Sequence, residues 1–210
     1  MLFRSMAWPS SITLIGSVVR LEPLSHAHAA DLSIAVSDLQ DLWYTAVPTA
    51  EGVPAEITRR LGLQEAGSML PFAVVDIASA KTVGTTTYMN IDAANKRVEI
   101  GSTWYAKVAQ RTPLNTECKL LLLAHAFEQL SCIAVEFRTH FMNQQSREAI
   151  AKIGAKQDGI LRSHLRTAEG NLRDTVVFSI IAPEWPTVKT HLQHRLARLK
   201  IQGMNKRSAL

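Results

Sequence analysis

The chain has 210 residues, of which 47% are hydrophobic and 20% are charged, and its formal net charge at pH 7 is +5. This composition is typical of one globular domain with short appendages, and it excludes a largely disordered chain. No segment reaches the ~18 apolar residues that a membrane span requires, and the first residues lack the pattern of a signal peptide. We therefore expect a cytoplasmic protein that has no membrane partner.

The positive charge is concentrated near the C-terminal end. No acidic residue follows Glu184, whereas six lysines and arginines lie between Lys189 and Arg207. Without those six the rest of the chain is close to neutral, so the basic patch belongs to the tail and not to the domain. Nucleic acid is therefore not the expected partner of the domain. A ribosome- or RNA-associated role through the tail stays open as an alternative.

The two cysteines are interpreted as structural. Cys118 and Cys132 are the only ones in the chain, and both lie in apolar segments. Free cysteine is among the most frequently buried residue types. The sequence therefore predicts two buried thiols, and neither a disulfide framework nor a bound metal.

The first part of the chain predicts one strand and two helices. A segment rich in β-branched residues extends from Ile12 to Pro23, with Gly16 as a bend, and predicts the first strand. Ser25 can cap a helix that extends through roughly residue 35. Pro54 suits the first turn of a second helix that ends near Gly67.

The middle of the chain predicts three strands, a helix and a fourth strand. Short connections between strands over 70–77, 82–91 and 97–105 indicate an antiparallel meander. A helix from Thr116 to about Leu130 has apolar residues all round its middle, which is typical of a helix buried against a sheet. The strand over 132–140 is reached by a crossover, so we expect it to run parallel to 97–105.

The last part predicts a short helix, a hairpin and a final helix. The short helix extends over 143–153 and is stopped by Gly154, and strands over 159–164 and 172–181 form the hairpin. Leucines at helical spacing over 187–199 predict a helix that packs on the domain or on a second subunit, so monomer and homodimer both stay open. We expect an N-terminal extension over 1–11, a domain over 12–183 and a basic helix and tail over 184–210.

The segment between the strand 97–105 and the helix after it is the most informative. The polar loop 110–115 leads directly to the predicted helix start at Thr116. A helix N-terminus offers unpaired N–H groups and a partial positive charge, which suit a phosphate or pyrophosphate. The loop lacks both Gly-x-x-x-x-Gly-Lys-Ser/Thr and Gly-x-Gly-x-x-Gly, so the motifs favour neither an ATP-binding P-loop nor a dinucleotide fold.

This order of elements, with a phosphate-ready helix after the fourth strand, resembles the GCN5-related N-acetyltransferase (GNAT) superfamily over roughly residues 12–183. The loop 110–115 aligns with the family's pyrophosphate motif Gln/Arg-x-x-Gly-x-Gly/Ala, with Pro113 and Asn115 at its two small-residue positions. The segments 143–155 and 172–179 resemble the Rim-type branch, named for ribosomal-protein N-terminal acetylation. The resemblance implies an α/β (α+β) fold with a mixed, mostly antiparallel sheet of about seven strands, in which the parallel strands 4 and 5 splay apart.

The resemblance also implies a cofactor and a reaction. An acetyl group would pass from acetyl-CoA to a primary amine, which is either a peptide N-terminus or a small molecule. The residues that correspond to the family's coenzyme-binding segments are Trp104, Tyr105, Gln110, Arg111, Thr112, Pro113, Leu114, Asn115, Thr116 and Asn143. Proline fixes φ and removes one N–H, so we expect a weaker hold on the coenzyme, which a helix cap by Asn115 would compensate in part.

Three residues are candidates for catalysis by this resemblance. Glu99 is the carboxylate of strand 4 and the candidate general base, with a surface glutamate as the alternative. His140, at the end of strand 5, is the rival base because an imidazole titrates near neutrality. Relatives often use a tyrosine to protonate the thiolate. This chain has none after Tyr105, and Ser146 matches the serine of the Rim-type branch, although support of a helix turn is its alternative role.

Two further expectations concern the acceptor and a rival class of function. Trp43 and Tyr44 lie between the first two helices and are candidates to line an acceptor pocket, with core packing as the alternative. The altered loop and the missing tyrosine leave a non-catalytic acyl-CoA-binding module as the alternative to an enzyme. The fold alone cannot choose among acceptors.

Overall fold

The computed structural model describes residues 8–39, 44–45, 47–167 and 169–208. These residues form eight strands and five α-helices. The strands are β1 (Leu14–Ile15), β2 (Val19–Pro23), β3 (Met69–Asp76), β4 (Lys81–Asp92), β5 (Arg97–Tyr105), β6 (Ala134–His140), β7 (Lys156–Arg166) and β8 (Leu172–Ile181). The helices are α1 (Ala29–Ser37), α2 (Val53–Glu65), α3 (Pro113–Ala124), α4 (Gln144–Lys152) and α5 (Trp185–Ser208).

All eight strands belong to one sheet, in the order β1-β2-β3-β4-β5-β6-β8-β7. Every neighbouring pair is antiparallel except β5 and β6, which run parallel. A parallel pair requires a crossover connection, and α3 supplies it. The predicted mixed, mostly antiparallel sheet is therefore confirmed.

The eighth strand arises because the predicted first strand is broken in two at Gly16. Glu117 of α3 places its carboxylate under the connection between β1 and β2, where it accepts hydrogen bonds from the backbone N–H groups of residues 17–19 at 2.6–3.0 Å. A Cβ atom at Gly16 would lie 2.5 Å from Glu117 Oε2, so the glycine leaves the space that this carboxylate occupies. The predicted strands 4 and 5 are consequently β5 and β6.

Helices cover both faces of the sheet. Thr87 of β4 points to the face covered by α2, where its hydroxyl contacts Arg60. The next residue, Tyr88, points to the opposite face, as alternation along a strand requires, and donates to the carbonyl of Leu122 in α3 at 2.5 Å. The final helix α5 packs on α3 through a buried stripe centred on Leu192. Of the two packing alternatives for this helix, the structure shows packing on the domain.

The start of α3 differs from its predicted position. This helix begins at Pro113, three residues before the predicted start at Thr116, and Thr112 is its N-cap, since Leu114 N–H donates to Thr112 Oγ1 at 3.3 Å. The prediction that Asn115 caps the helix is wrong. Proline occupies the first helical position, where its fixed φ suits the helix and its missing N–H has no intrahelical partner to lose.

One continuous core fills the space between the sheet and the helices. Its largest fully buried side chains include Tyr88, Phe72, Phe137 and Leu122. Both cysteines are buried, as predicted. Within the described ranges, no helix is long and apolar enough to cross a membrane.

Candidate active site

The strands β5 and β6 pair over only three residues and then separate. The parallel pairs are Arg97 with Ala134, Val98 with Val135, and Glu99 with Glu136. Both strands continue beyond the last pair, β5 to residue 105 and β6 to residue 140. We call the gap between residues 100–105 of β5 and 137–140 of β6 the fork. It leaves backbone polar groups of two central strands unpaired with each other, and an extended ligand with amide groups can bind such an edge.

Glu99 lies where the fork opens, and it is only 5% exposed. The side-chain amide of Asn90 donates to Glu99 Oε2 at 2.6 Å, and Arg138 Nε lies 3.4 Å from the same oxygen. Burial raises the pKa of Glu99 above its ordinary value of 4.5, although Asn90 and Arg138 act in the opposite direction. A carboxylate with a raised pKa is better matched to accepting a proton near neutral pH.

Two backbone features place this carboxylate. Asn90 has φ +48° and lies at a bulge where the register of β4 against β5 shifts between Met89 and Asp92. Gly101 leaves open the space beside Glu99, because a Cβ atom there would lie 2.9 Å from Glu99 Oε1 and 2.7 Å from Met89 Sδ. The glycine therefore allows Glu99 to turn toward its amide partner.

Arginines surround the two glutamates at the start of the fork. Arg138 Nη2 donates to Glu136 Oε2 at 2.9 Å, and the guanidinium of Arg97 binds the other oxygen of Glu136. Arg173 of β8 acts electrostatically on Glu99. Its Nε is buried and has no hydrogen-bond partner among the described residues. This face of the sheet therefore carries more positive than negative charge beside the candidate base.

His140 accepts a backbone hydrogen bond beside the fork. Its Nδ1 accepts a hydrogen bond from Met142 N–H at 3.0 Å. Burial, with a contribution from Arg173, lowers the pKa of His140 below 6.5, so the ring is neutral near pH 7 and carries its proton on Nε2. The ring of Tyr44 has its centroid 6.0 Å from that of His140. Trp43, the other predicted acceptor-pocket residue, lies outside the described residues.

The start of α4 follows β6 closely and lies beside the same end of the fork. Asn143 N–H donates to the carbonyl of His140 at 2.9 Å, and Asn143 Oδ1 accepts from Ser146 N–H at 3.0 Å. Asn143 is therefore the N-cap of α4 and Ser146 its third residue, as predicted. Ser146 is half-buried in this first turn.

The loop after β5 is held by hydrogen bonds from its own side chains. Gln110 Nε2 donates to the carbonyl of Tyr105 at 3.1 Å, so this side chain closes the end of β5. Arg111 is exposed and has φ +58°, a left-handed conformation that glycine adopts more easily. Thr112 Oγ1 donates to the carbonyl of Ala109 at 2.7 Å and also caps α3.

Several predicted coenzyme-binding side chains are turned into the protein. Leu114 and Thr116 are buried, and the hydroxyl of Tyr105 donates to Cys118 Sγ at 3.3 Å under α3. Asn115 remains half-buried in the first turn of α3. Pro113 offers no N–H, whereas Arg111 and Lys107 are exposed cations in the loop that leads to the helix.

Trp104 lies on the face of the sheet that α2 covers. It is buried, and its Nε1 has no hydrogen-bond acceptor in the part of the chain that the structure describes. A buried indole N–H usually has a partner. The indole N–H of Trp104 is thus a buried donor near the fork that has no acceptor among the described residues.

Sequence reasoning missed the residues that hold a bulge in β5. Thr85 pairs with Trp104, and Thr87 pairs with Gly101. One residue of β4, Thr86, therefore lies opposite two residues of β5, Ser102 and Thr103. Ser102 has φ +47°. On one side the carbonyl of Ser102 accepts from Arg60 of α2, and on the other the side chain of Thr103 accepts from Lys119 of α3.

A signal for Arg60 was present in the sequence. Val53, Ile57 and Arg60 follow helical spacing on α2, and all three are buried. An arginine on an apolar stripe is unusual unless it is paired or hydrogen-bonded. The equivalent signal for Lys119 was its position between Cys118 and the apolar run 120–123 of α3.

Comparison with known proteins agrees with this arrangement. The family model for the acetyltransferase (GNAT) domain matches residues 19–156. A GCN5-related N-acetyltransferase from Brucella melitensis superposes with a TM-score of 0.80 at 33% identity, over 90% of this chain and 86% of the other. Mycobacterium smegmatis RimJ, solved in complex with CoA-disulfide, has a TM-score of 0.73 at 22% identity, over 90% and 96%, and shows a similar fold.

One curated relative matches part of the chain. This is YdaF of Bacillus subtilis (strain 168), provisionally named a ribosomal N-acetyltransferase, with 30% identity over 102 residues. The match covers 49% of this chain and about half, 55%, of YdaF. This chain shares the fold of a solved acetyltransferase. The chain belongs to the GNAT acetyltransferase family.

Proposed function

We propose that the protein is an acetyl-CoA-dependent N-acetyltransferase that transfers an acetyl group directly to a primary amine. The fork is the observation that carries this proposal, because it places an unpaired strand edge beside Glu99, a buried carboxylate with a raised pKa. The acceptor is either a peptide N-terminus or a small molecule. The name of YdaF, a provisional ribosomal N-acetyltransferase, favours testing peptide N-termini first.

The residues around the fork fit coenzyme A. The unpaired edge of β5 suits the amide groups of a pantetheine arm, which would lie against it as an added strand. Arg111 and Lys107 are exposed beside the start of α3 and suit a pyrophosphate. Acetyl-CoA supplies, when bound, an acyl thioester that an amine can attack. The predicted binding residues Gln110 and Thr112 act by shaping the loop, since both bond to backbone or cap the helix.

Glu99 is the general base in this proposal. It takes a proton from the acceptor amine directly or through one water, while Asn90 and Arg138 hold its carboxylate in place. His140 is less suited to this role, because in the neutral ring the lone pair of Nδ1 already accepts from the backbone of Met142. Ser146, in the first turn of α4, is the candidate proton donor for the leaving sulfur, and Asn143 holds that turn.

The release of free coenzyme A from acetyl-CoA tests the proposal. The acceptors are a panel of peptides with different N-terminal residues and a panel of small primary amines. Turnover on any of them supports an N-acetyltransferase. Binding of acetyl-CoA in calorimetry without turnover on any acceptor would instead favour a non-catalytic acyl-CoA-binding module.

A role for the basic tail in RNA or ribosome binding has its own test. Phosphate contacts by lysine and arginine weaken as salt is added. Binding of ribosomal RNA that is lost between low and physiological salt would support this alternative. Negligible binding at both salt concentrations would remove it.

A further inference from the structure

We propose that Arg173 of β8 binds a carboxylate of the acceptor, so that the preferred substrates are primary amines that carry a carboxylate close to the amine. Two sources have this chemistry, a free amino acid and a peptide whose N-terminal residue is acidic. The inference rests on the proposed acetyl transfer. It adds to that reaction the residue that selects the acceptor.

Arg173 lies on the same face of the sheet as Glu99. Glu99 pairs with Glu136 of β6, and registered partners direct their side chains to one face. His140, four residues after Glu136 on the same strand, pairs with Thr175 of β8. Side chains two apart on a strand share a face, so Arg173 belongs to this face as well. Its electrostatic action on both Glu99 and His140 agrees with this placement.

The guanidinium of Arg173 is half-buried and has no partner among the described residues. Its Nε is buried without an acceptor, and no ion pair joins the side chain to a described carboxylate. The next residue, Asp174, pairs with Arg162 and lies on the opposite face of β8. A cation that is partly removed from water is normally paired with an anion. An anionic group of a bound ligand can be that partner.

The carboxylates on the face of Arg173 are already paired with other arginines. Glu136 is bound by Arg97 and by Arg138. Arg138 also lies 3.4 Å from Glu99 Oε2. The arginines of this group outnumber its glutamates, so the face beside the candidate base is positive. A single carboxylate on the acceptor would balance that charge, whereas an acceptor with a second cation would be repelled.

The anion is assigned to the acceptor and not to the coenzyme. Glu99 pairs with Met89 of β4, whereas the next strand residue toward the fork-distal side, Tyr88, points to the opposite face and bonds to α3. Phosphates at the start of α3 therefore belong to the helix that covers the other face of the sheet. An amine at Glu99 lies on the face of Arg173, so a carboxylate attached to that amine can reach the guanidinium. Nε and one Nη offer two parallel donors, which match the two oxygens of a carboxylate.

The test compares acceptors that share an amine and differ in the carboxylate. One pair is alanine and alaninamide, and the other is a short peptide amide with either aspartate or asparagine at its N-terminus. Release of coenzyme A gives kcat/KM for each acceptor. We expect the wild-type protein to prefer the carboxylate member of at least one pair by about tenfold to hundredfold. The pair that shows the preference identifies the source of the carboxylate.

Arg173→Gln should reduce this preference to less than about threefold. Both proteins receive the same acceptors, so the comparison cancels the intrinsic difference in reactivity between the two amines. Arg173→Lys keeps the charge and loses the paired donors, and it should lower the preference by at least about threefold. It also serves as the second variant if thermal unfolding shows that Arg173→Gln does not fold.

Arg162→Gln is the matched control, because it removes an arginine of the same hairpin whose side chain is 80% exposed and pairs with Asp174. It should keep the wild-type preference. A preference that survives in both Arg173 variants would overturn the inference, and so would a wild-type protein that shows no preference in either pair. Such a protein would still be an N-acetyltransferase. No release of coenzyme A with any acceptor would overturn the proposed function, and this inference with it.

Discussion

Asn90 and Glu99 are joined by a short hydrogen bond at the fork, with 2.6 Å between the amide nitrogen and Oε2. The two residues lie on neighbouring strands and do not pair directly, because Met89 is the registered partner of Glu99. The left-handed turn of the backbone at Asn90 brings its side chain across to the carboxylate. The hydrogen bond favours the ionised form of Glu99, which is the form that can accept a proton.

Replacing Glu99 should lower the rate of acetyl transfer and change how the free energy of unfolding depends on pH. We expect Glu99→Gln to lower kcat for acetyl transfer by about 10² to 10⁴, because the proton acceptor is lost. The folded pKa of Glu99 is raised by burial above the unfolded value, so the folded state binds more protons in that range. The wild-type free energy of unfolding should therefore fall as pH rises from about 4.5 through the folded pKa. The variant should lack this component.

Urea unfolding of both proteins between about pH 4 and pH 7 measures this difference. Glu148→Gln is the control, since the side chain of Glu148 is 65% exposed on α4. A Glu99→Gln variant with wild-type kcat would contradict the role of Glu99 as base. Identical pH dependence of unfolding would contradict its raised pKa.

The contribution of Glu117 to stability should have the opposite pH dependence from that of Glu99. Burial alone raises its pKa, but hydrogen bonds from the Ser17 hydroxyl and from three backbone N–H groups outweigh it, and the net pKa is lowered. Its stabilising contribution is present above the unfolded pKa and is lost as pH falls through the lower folded pKa. We expect Glu117→Gln to lower the free energy of unfolding by about 2 kcal/mol at neutral pH. The loss of unfolding free energy in Glu117→Gln should be smaller in acid. Equal losses at pH 7 and at about pH 3 would contradict the lowered pKa of Glu117.

Pro113 offers a test of coenzyme binding at the start of α3. Pro113→Gly restores one N–H at the first helical position, where it can reach a pyrophosphate. We expect calorimetry to show a Kd for coenzyme A that is about threefold to tenfold lower. Pro54→Gly, at the start of α2, is the control and should leave this Kd unchanged. Unchanged affinity in Pro113→Gly would remove the argument that proline weakens the site.

The packing of α5 predicts that this helix contributes to the stability of the domain. Leu192 is completely buried, whereas Ile201 of the same helix is 58% exposed. Leu192→Ala should lower the free energy of unfolding by about 2 to 5 kcal/mol, because it leaves a cavity. Ile201→Ala should change it by less than about 0.5 kcal/mol. Equal effects of the two substitutions would show that the helix is not docked in solution.

Local patterns were sufficient for much of the fold and insufficient for the site. The strand 97–105 was predicted with its observed ends, since its alternation and flanking turns are local signals. The break at Gly16 depends on Glu117, which is about a hundred residues away in the chain. The start of α3 was misplaced because Pro113 serves equally as a loop residue and as the first residue of a helix.

The candidate site was harder because its geometry comes from irregular backbone. Nothing in the sequence around Ser102 indicates a bulge, and the left-handed conformation there is held by Arg60, from another helix. Glu99 and Ser146 became candidates through resemblance to a family. The partners of Glu99, Asn90 and Arg138, were not predicted, because a contact between strands requires the register.

The short pairing of β5 with β6 has a consequence for how the protein exchanges hydrogen with solvent. Amides in a central strand are normally among the slowest to exchange. The N–H group of Tyr105 faces the fork, because Ala106 N–H donates to Val83 of β4 and backbone groups alternate in direction along a strand. It should exchange as fast as an N–H of an outermost strand, although three strands or more lie on each side of β5. Addition of coenzyme A should slow this amide and leave that of Trp104 unchanged. Deuterium labelling would therefore report occupancy of the fork one residue at a time.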